Sequence, residues 1–317
     1  MVTETLATYS LVAVYSSMVI YALAFVLFTL DLARRSSPKP VSLRGHVAKG
    51  SGSMTQLLED RPDSSRTEKG PRYLSAAVAL TVIAWVLHVA SAVLRGVAAN
   101  RVPWANMFEF TLTATAIIIG VFLAVQFWQD LRFVGAFVVG FVLLALGVAS
   151  VNFYVDVVPL PPALQSVWLV IHVFVASLGT AFFAIGAALS IVQLLQARRA
   201  AGKAAKLRFL DRVADAEQLE NMAYRMIVVG FVFWTFTLIA GAVWAERAWG
   251  RYWGWDTKEV WTFIIWTVFA GYIHARATRG WRGSRSAWLA IIGFAAVVFN
   301  FTIVNLFFKG LHAYSGL

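Results

Sequence analysis

The stretch Leu11-Val12-Ala13-Val14-Tyr15-Ser16-Ser17-Met18-Val19-Ile20-Tyr21-Ala22-Leu23-Ala24-Phe25-Val26-Leu27-Phe28-Thr29-Leu30 contains no charged residue. A bilayer core of about 30 Å is crossed by roughly 20 helical residues, so this run predicts a transmembrane helix. It is too long for the apolar core of a cleavable signal peptide. The positive charges also follow it, with none before it. Comparable runs recur along the chain and predict spans at 9–31, 73–95, 107–128, 133–151, 166–196, 223–245, 259–277 and 287–308. Composition agrees: of 317 residues 60% are hydrophobic and 14% charged, where soluble domains carry about 25% charged residues. The expected fold is all-α, a polytopic integral membrane protein of about eight transmembrane helices. Residues 1–31 form the first helix and 32–72 a flexible basic linker rich in Ser, Pro and Gly. Residues 73–317 form the remaining bundle.

Lysine and arginine set the orientation. Of the 27 basic residues, 21 fall in the loops 32–72, 129–132, 197–225 and 276–286. Those loops are expected to be cytoplasmic, with both termini extracytoplasmic. The outer segments are then 95–106, 152–165, 245–258 and 309–317. The net charge of +11 reads as topology, and no nucleic-acid partner is expected. The absence of cysteine excludes disulfides, thiolate metal sites and a thiol relay within the chain.

Five histidines are present. His46 lies in the linker and reads as solvated. The other four lie in or beside spans, where an ionisable side chain points to function. His172 is about two turns into the fifth span, and His312 follows the last; the charge bias puts both on the outer side. Between spans six and seven stands the external loop 245–258. From Trp244 it reads Trp244-Ala245-Glu246-Arg247-Ala248-Trp249-Gly250-Arg251-Tyr252-Trp253-Gly254-Trp255-Asp256-Thr257-Lys258-Glu259.

Two imidazoles flanking such an aromatic shelf suit a flat, iron-containing macrocycle, because imidazole nitrogen ligates heme iron. Trp249, Trp253 and Trp255 offer large planar surfaces, and Arg251 suits a propionate. An interfacial tryptophan belt with two unrelated histidines fits the same letters. Asp256 and Glu259 have capping-box spacing. Glu109, opening span three, suits the positive end of its helix. His88 in span two and His274 in span seven form a second pair within the membrane. At about 1.5 Å per residue their depths differ by roughly 15 Å. Position alone leaves a shared ligand and two separate polar contacts both open.

Trp249-Gly250-x-x-Trp253-x-Trp255-Asp256-x-Lys258-Glu259 resembles the tryptophan-rich signature of the heme-handling cytochrome c assembly family, of the CcsA/ResC type, called CcsB in some bacteria. Supporting matches come in order: Pro103-x-x-Asn106-Met107-x-Glu109, Trp168-Leu169-x-x-His172-Val173, Tyr272-Ile273-His274-x-Arg276 and Gly310-Leu311-His312-x-Tyr314. Residues 1–72 match weakly. Thr257 stands where the family usually has proline.

The resemblance implies that His172 and His312 ligate heme b (iron protoporphyrin IX) at the signature loop. It implies that His88 and His274 hold a second heme in the membrane. It further implies presentation of heme to an apocytochrome c Cys-x-x-Cys-His segment for thioether formation. The implied partners are a ResB-type membrane protein and external thiol-reducing proteins. The expected location is a bacterial plasma membrane, a plastid membrane being the alternative. Two other classes stay open on the residues themselves. One is a bis-histidine electron carrier of the cytochrome b kind; the other is a non-heme transporter with an aromatic gate.

Overall fold

A computed structural model describes residues 2–35, 72–158, 160, 164–204, 207, 210, 213–278, 280–308 and 310–311. Most of the expected linker, with His46, and the tail from His312 lie outside these. The described residues form α1 (Val2–Arg35), α2 (Arg72–Ala99), α3 (Met107–Val125), α4 (Gly135–Asn152), α5 (Val167–Ala200), α6 (Ala216–Trp249), α7 (Thr257–Ala277), α8 (Ser284–Phe301) and α9 (Ile303–Phe307). All eight expected spans are helical.

Seven of these segments are long and apolar enough to cross a membrane; α8 and α9 count as one such segment. The polytopic membrane fold is therefore as expected. The stretch 259–277, within α7, is the exception among the eight. At 21 residues α7 reaches about 31 Å, but Lys258, Glu259, His274 and Arg276 dilute its apolar character.

Local sequence explains where the helices begin. Asn106 caps α3 by accepting the N–H of Glu109 at 2.9 Å. Ser166 caps α5 through Trp168, and Asp215 caps α6 through Gln218. Each side chain satisfies an amide that the helix itself leaves unbonded.

Helices α1 and α2 pair along their lengths, as do α5 and α6. Helix α5 is central: α3 packs on it, α6 and α8 flank it, and α7 lies against α6 and α8. Phe183 of α5 and Phe269 of α7 stack at 3.6 Å, both buried. Buried ion pairs fasten the two ends of the bundle. Near the starts of α6 and α8, Glu220 receives Gly283 N–H at 2.9 Å and Ser286 Oγ–H at 3.1 Å, and pairs with Arg276 at 3.3 Å. At the other end Glu109 holds Arg95 at 3.0 Å and Arg101 at 2.5 Å.

Candidate functional site

At the end of the bundle that carries the tryptophan loop lies a cavity of about 430 Å³, within the range of small-molecule sites. Its wall is mostly apolar and comes from α3 to α9 and the loop between α6 and α7.

His172 lines this cavity from α5. Thr237, Gly241 and Trp244 meet it from α6; spaced by four and three, they share one helix face. His172 Nδ1 lies 3.0 Å from the Thr237 carbonyl oxygen. A carbonyl only accepts, so Nδ1 carries the proton and any bond to a metal falls to Nε2. The indole of Trp244 stacks on the imidazole at 5.9 Å and 23°. Gly241 makes room for the ring, since a Cβ there would stand 2.7 Å from His172 Cε1. A ring held this way, with its second nitrogen on a backbone carbonyl, has the support that a metal-ligating histidine needs.

The loop is shorter than the stretch 245–258 read from sequence. Helix α6 continues through Trp249 and ends where Gly250 turns left-handed (φ +71), its N–H reaching Glu246 O at 2.8 Å. Glycine takes that conformation without a Cβ clash. Helix α7 then starts with a full capping box on Asp256 and Glu259. Glu259 also accepts the N–H groups of Gly254 at 2.8 Å and Asp256 at 3.0 Å. The carboxylate thus ties the loop closed. The second Asp256 oxygen accepts Leu311 N–H at 2.8 Å.

The three loop tryptophans occupy different places. Trp253 lines the cavity, as do Trp104 and Trp244. Trp249 meets Trp244 edge-on at 4.8 Å. Trp255 is 77% exposed and has a positive φ of +59. Arg251 folds over Gly254, where any Cβ would overlap its guanidinium. Lys258, which precedes the 259–277 span, reaches the cavity and donates to Asn305 Oδ1. Burial pushes its ammonium down to about 7, opposed by the charge of Asp256.

Among the remaining expected site residues, Glu109 is a structural hub. Besides two arginines it accepts Ala105 N–H at 3.1 Å, while Arg95 also donates to Val155 O at 2.6 Å. His88 is fully buried among α1, α2 and α3. Its Nε2 donates to Leu112 O at 2.8 Å, which leaves Nδ1 to accept from Tyr21 Oη at 3.3 Å. His274 is exposed near the end of α7. Because α2 packs on α1 and α3, and α7 on α6 and α8, this arrangement does not bring His88 and His274 together. His312 lies outside the described residues. Among those described, no cluster of three His, Asp or Glu side chains suits a bare metal ion.

The cavity also opens on the flank of the bundle. Leu144 and Val148 of α4 line it yet are 67% and 46% exposed. Across the seam, Phe141 meets Phe294 of α8 at 5.7 Å, and Phe110 of α3 stacks on Phe301 at 4.8 Å.

Residues 74–312 match the profile of the family described as Cytochrome C assembly protein. The chain belongs to the cytochrome c assembly family. Among its relatives is the cytochrome c biogenesis protein CcsA of Heterosigma akashiwo (strain NIES-293 / 8280G21-1). It is 34% identical over 251 residues, which are 69% of this chain and 78% of the relative. CcsA of Trieres chinensis is 33% identical over 273 residues, 77% and 86% of the two chains. CcsA of Chlamydomonas reinhardtii is 44% identical over 157 residues, 49% and 43% of the two. The solved structure of cytochrome c heme lyase CcmF shares the fold at a TM-score of 0.64 and 17% identity. The likeness covers 98% of this chain but 48% of that one, so the chain spans about half of it.

In this cytochrome c assembly protein, sequence reasoning singled out His172 and Trp253, which the cavity brings together. It passed over Trp104, Trp244, Lys258, Asn300 and Asn305. Lys258 and Trp244 stood in the motif region, where a charged residue at the start of a span was a usable signal. Asn300 and Asn305 were polar residues within an apolar span, the same class of signal.

Proposed function

We propose that the chain binds heme in this cavity and presents it on the extracytoplasmic side for covalent attachment to apocytochrome c. The observation that carries the reading is His172. Its imidazole is tautomerically set by Thr237, stacked on Trp244 and placed on an apolar cavity that Trp253 also lines. Family membership and the CcsA relatives support it. The donor set fits iron protoporphyrin IX: an imidazole oriented by a backbone carbonyl, flat indole walls and an otherwise apolar lining.

In this reading His172 and His312 would hold the heme iron, and Trp249, Trp253 and Trp255 would offer their rings to the macrocycle. His88 and His274 serve an earlier heme within the membrane only in a state that brings α2 and α7 together and exchanges the contacts of His88 with Tyr21 and Leu112. Each thiol of the apocytochrome Cys-x-x-Cys-His segment adds across one vinyl group. Sulfur bonds to one vinyl carbon, the proton goes to the other, and no electrons are exchanged. The protein's contribution is orientation and exclusion of water. With no cysteine here, reduced thiols come from external thiol-reducing proteins, and a ResB-type membrane protein is the partner. The basic loops favour eight crossings with both ends extracytoplasmic.

The test is an absorption spectrum of the protein purified after expression with ample heme, with His172→Ala alongside. A Soret band that weakens in the variant, with lower yield of cytochrome c, is expected. A colourless wild-type protein, or an unchanged spectrum and yield in the variant, rejects the reading.

A further inference from the structure

Lys258 projects an ammonium into a cavity whose other lining is mostly apolar. Its recorded hydrogen bond goes to Asn305 Oδ1, a neutral amide oxygen. The two carboxylates nearest in sequence are committed elsewhere. Asp256 accepts the N–H groups of Lys258 and Leu311 at 2.9 and 2.8 Å. Glu259 accepts those of Gly254 and Asp256. Among the described residues, no carboxylate lies within ion-pair reach of the Lys258 ammonium. Five residues before Asn305, at the end of α8, Asn300 also lines the cavity. It is 5% exposed, and its Oδ1 has no hydrogen-bond partner, while its Nδ2 makes only a long 3.4 Å contact to Thr262.

An ammonium withdrawn from water with no carboxylate in direct contact is costly, the more distant charge of Asp256 offsetting it only in part, and an arriving anion offsets the rest. The polar groups gather where α7 begins and α8 gives way to α9, while His172 and Trp244 line the cavity from α5 and α6. A ligand satisfying both is a flat apolar body with an acidic edge.

We propose that Lys258, with Asn305 and Asn300 beside it, anchors a propionate of the bound porphyrin. The proposal rests on the heme reading and adds the direction in which the ring lies. Arg251, the propionate partner suggested by sequence, is folded over Gly254 instead. With the acidic edge held at Lys258, the opposite edge of the macrocycle, which bears the vinyl groups, points away from the α7 end. His172 meets the face of the ring.

The purified full-length protein is titrated with iron protoporphyrin IX and with its dimethyl ester, which has the same ring and iron but no carboxylates. A hydrogen bond between charged groups separates the two by roughly tenfold or more. Wild type is expected to prefer the diacid to that extent. Lys258→Met is expected to bind both porphyrins with the affinity wild type shows for the ester. Lys258→Gln keeps a partner for Asn305 and should behave the same way, while Lys258→Arg should retain the preference. Binding of the ester by each variant shows that its cavity has formed. Equal affinity of wild type for the two ligands, or an undiminished preference in both neutral variants, overturns the anchor and leaves the heme reading standing. Failure of wild type to bind either porphyrin rejects both.

Discussion

The backbone N–H of Leu311 donates to Asp256 Oδ2 at 2.8 Å, so the segment after the last helix is fastened to the residue that caps α7. One carboxylate thereby does two jobs: Oδ1 starts a helix and Oδ2 holds the residue adjacent to His312 beside the tryptophan loop. Gly310 fits there because a Cβ would overlap Asp256 Oδ2. Gly310→Ala should therefore displace the tail without disturbing α7. Asp256→Asn should leave the cap largely intact, since asparagine caps helices about as well as aspartate, but its amide nitrogen cannot accept the Leu311 N–H. The expected outcome for Gly310→Ala is reduced heme retention at unchanged thermal stability in detergent, read by Soret absorbance and a melting curve. Full retention in Gly310→Ala would show that the tail position is immaterial.

The imidazole of His172 is aimed by α6 rather than by its own helix. Gly241→Val puts branched bulk where the ring now lies, since even a Cβ stands 2.7 Å from Cε1. The ring must leave the Thr237 carbonyl or α5 and α6 must part. Heme loss approaching that of His172→Ala is expected in the absorption spectrum, although residue 241 offers no ligand atom. A wild-type spectrum in Gly241→Val would mean that the ring can be aimed another way.

Trp255 separates stability from function. An exposed indole on a positive φ of +59 gains little from packing, and its backbone is strained by about 1 kcal/mol or more. Trp255→Gly removes that strain because glycine adopts the region readily. The melting temperature should hold or rise, while heme capture or cytochrome c yield falls through loss of the ring. A fall in stability with normal yield would reassign Trp255 to a structural role.

Glu109 makes the opposite prediction. It is fully buried between Arg95 and Arg101, and its removal leaves two guanidiniums without their shared counter-charge. Removing one partner of a buried ion pair costs about 3–5 kcal/mol. Glu109→Ala should lower the melting temperature markedly and heme retention only in proportion to the folded fraction. Intact stability with specific loss of heme would place Glu109 in the binding site instead.

How far the letters reached can be judged from these residues. Runs such as Leu11–Leu30 revealed the helices because lipid demands long apolar segments, and the Asp256 and Glu259 spacing revealed the start of α7. The arrangement of helices around a cavity was not legible, since it depends on which faces meet. Thr237 and Gly241 look like ordinary span residues until α6 lies against His172. The expected propionate partner, Arg251, was chosen by charge and loop position, but only the fold shows its side chain spent on Gly254 and Lys258 facing inward. The depth mismatch between His88 and His274 was already visible in the numbering, and their separate helix neighbourhoods match it.

The flank between α4 and α8 gives a last prediction. Leu144 and Val148 belong both to the cavity wall and to the outer surface of the bundle, so the seam by Phe141–Phe294 and Phe110–Phe301 is the route to test for a ligand dissolved in the bilayer. Because the chain has no cysteine, a single Leu144→Cys variant gives a clean reporter. A lipid-soluble maleimide should label it in membranes, and added heme should slow the labelling several-fold. A lipid-facing control, Val19→Cys on the exposed side of α1, should label at a rate heme does not alter. Equal protection at both positions, or none at either, would mean that heme does not occupy the cavity by way of this seam.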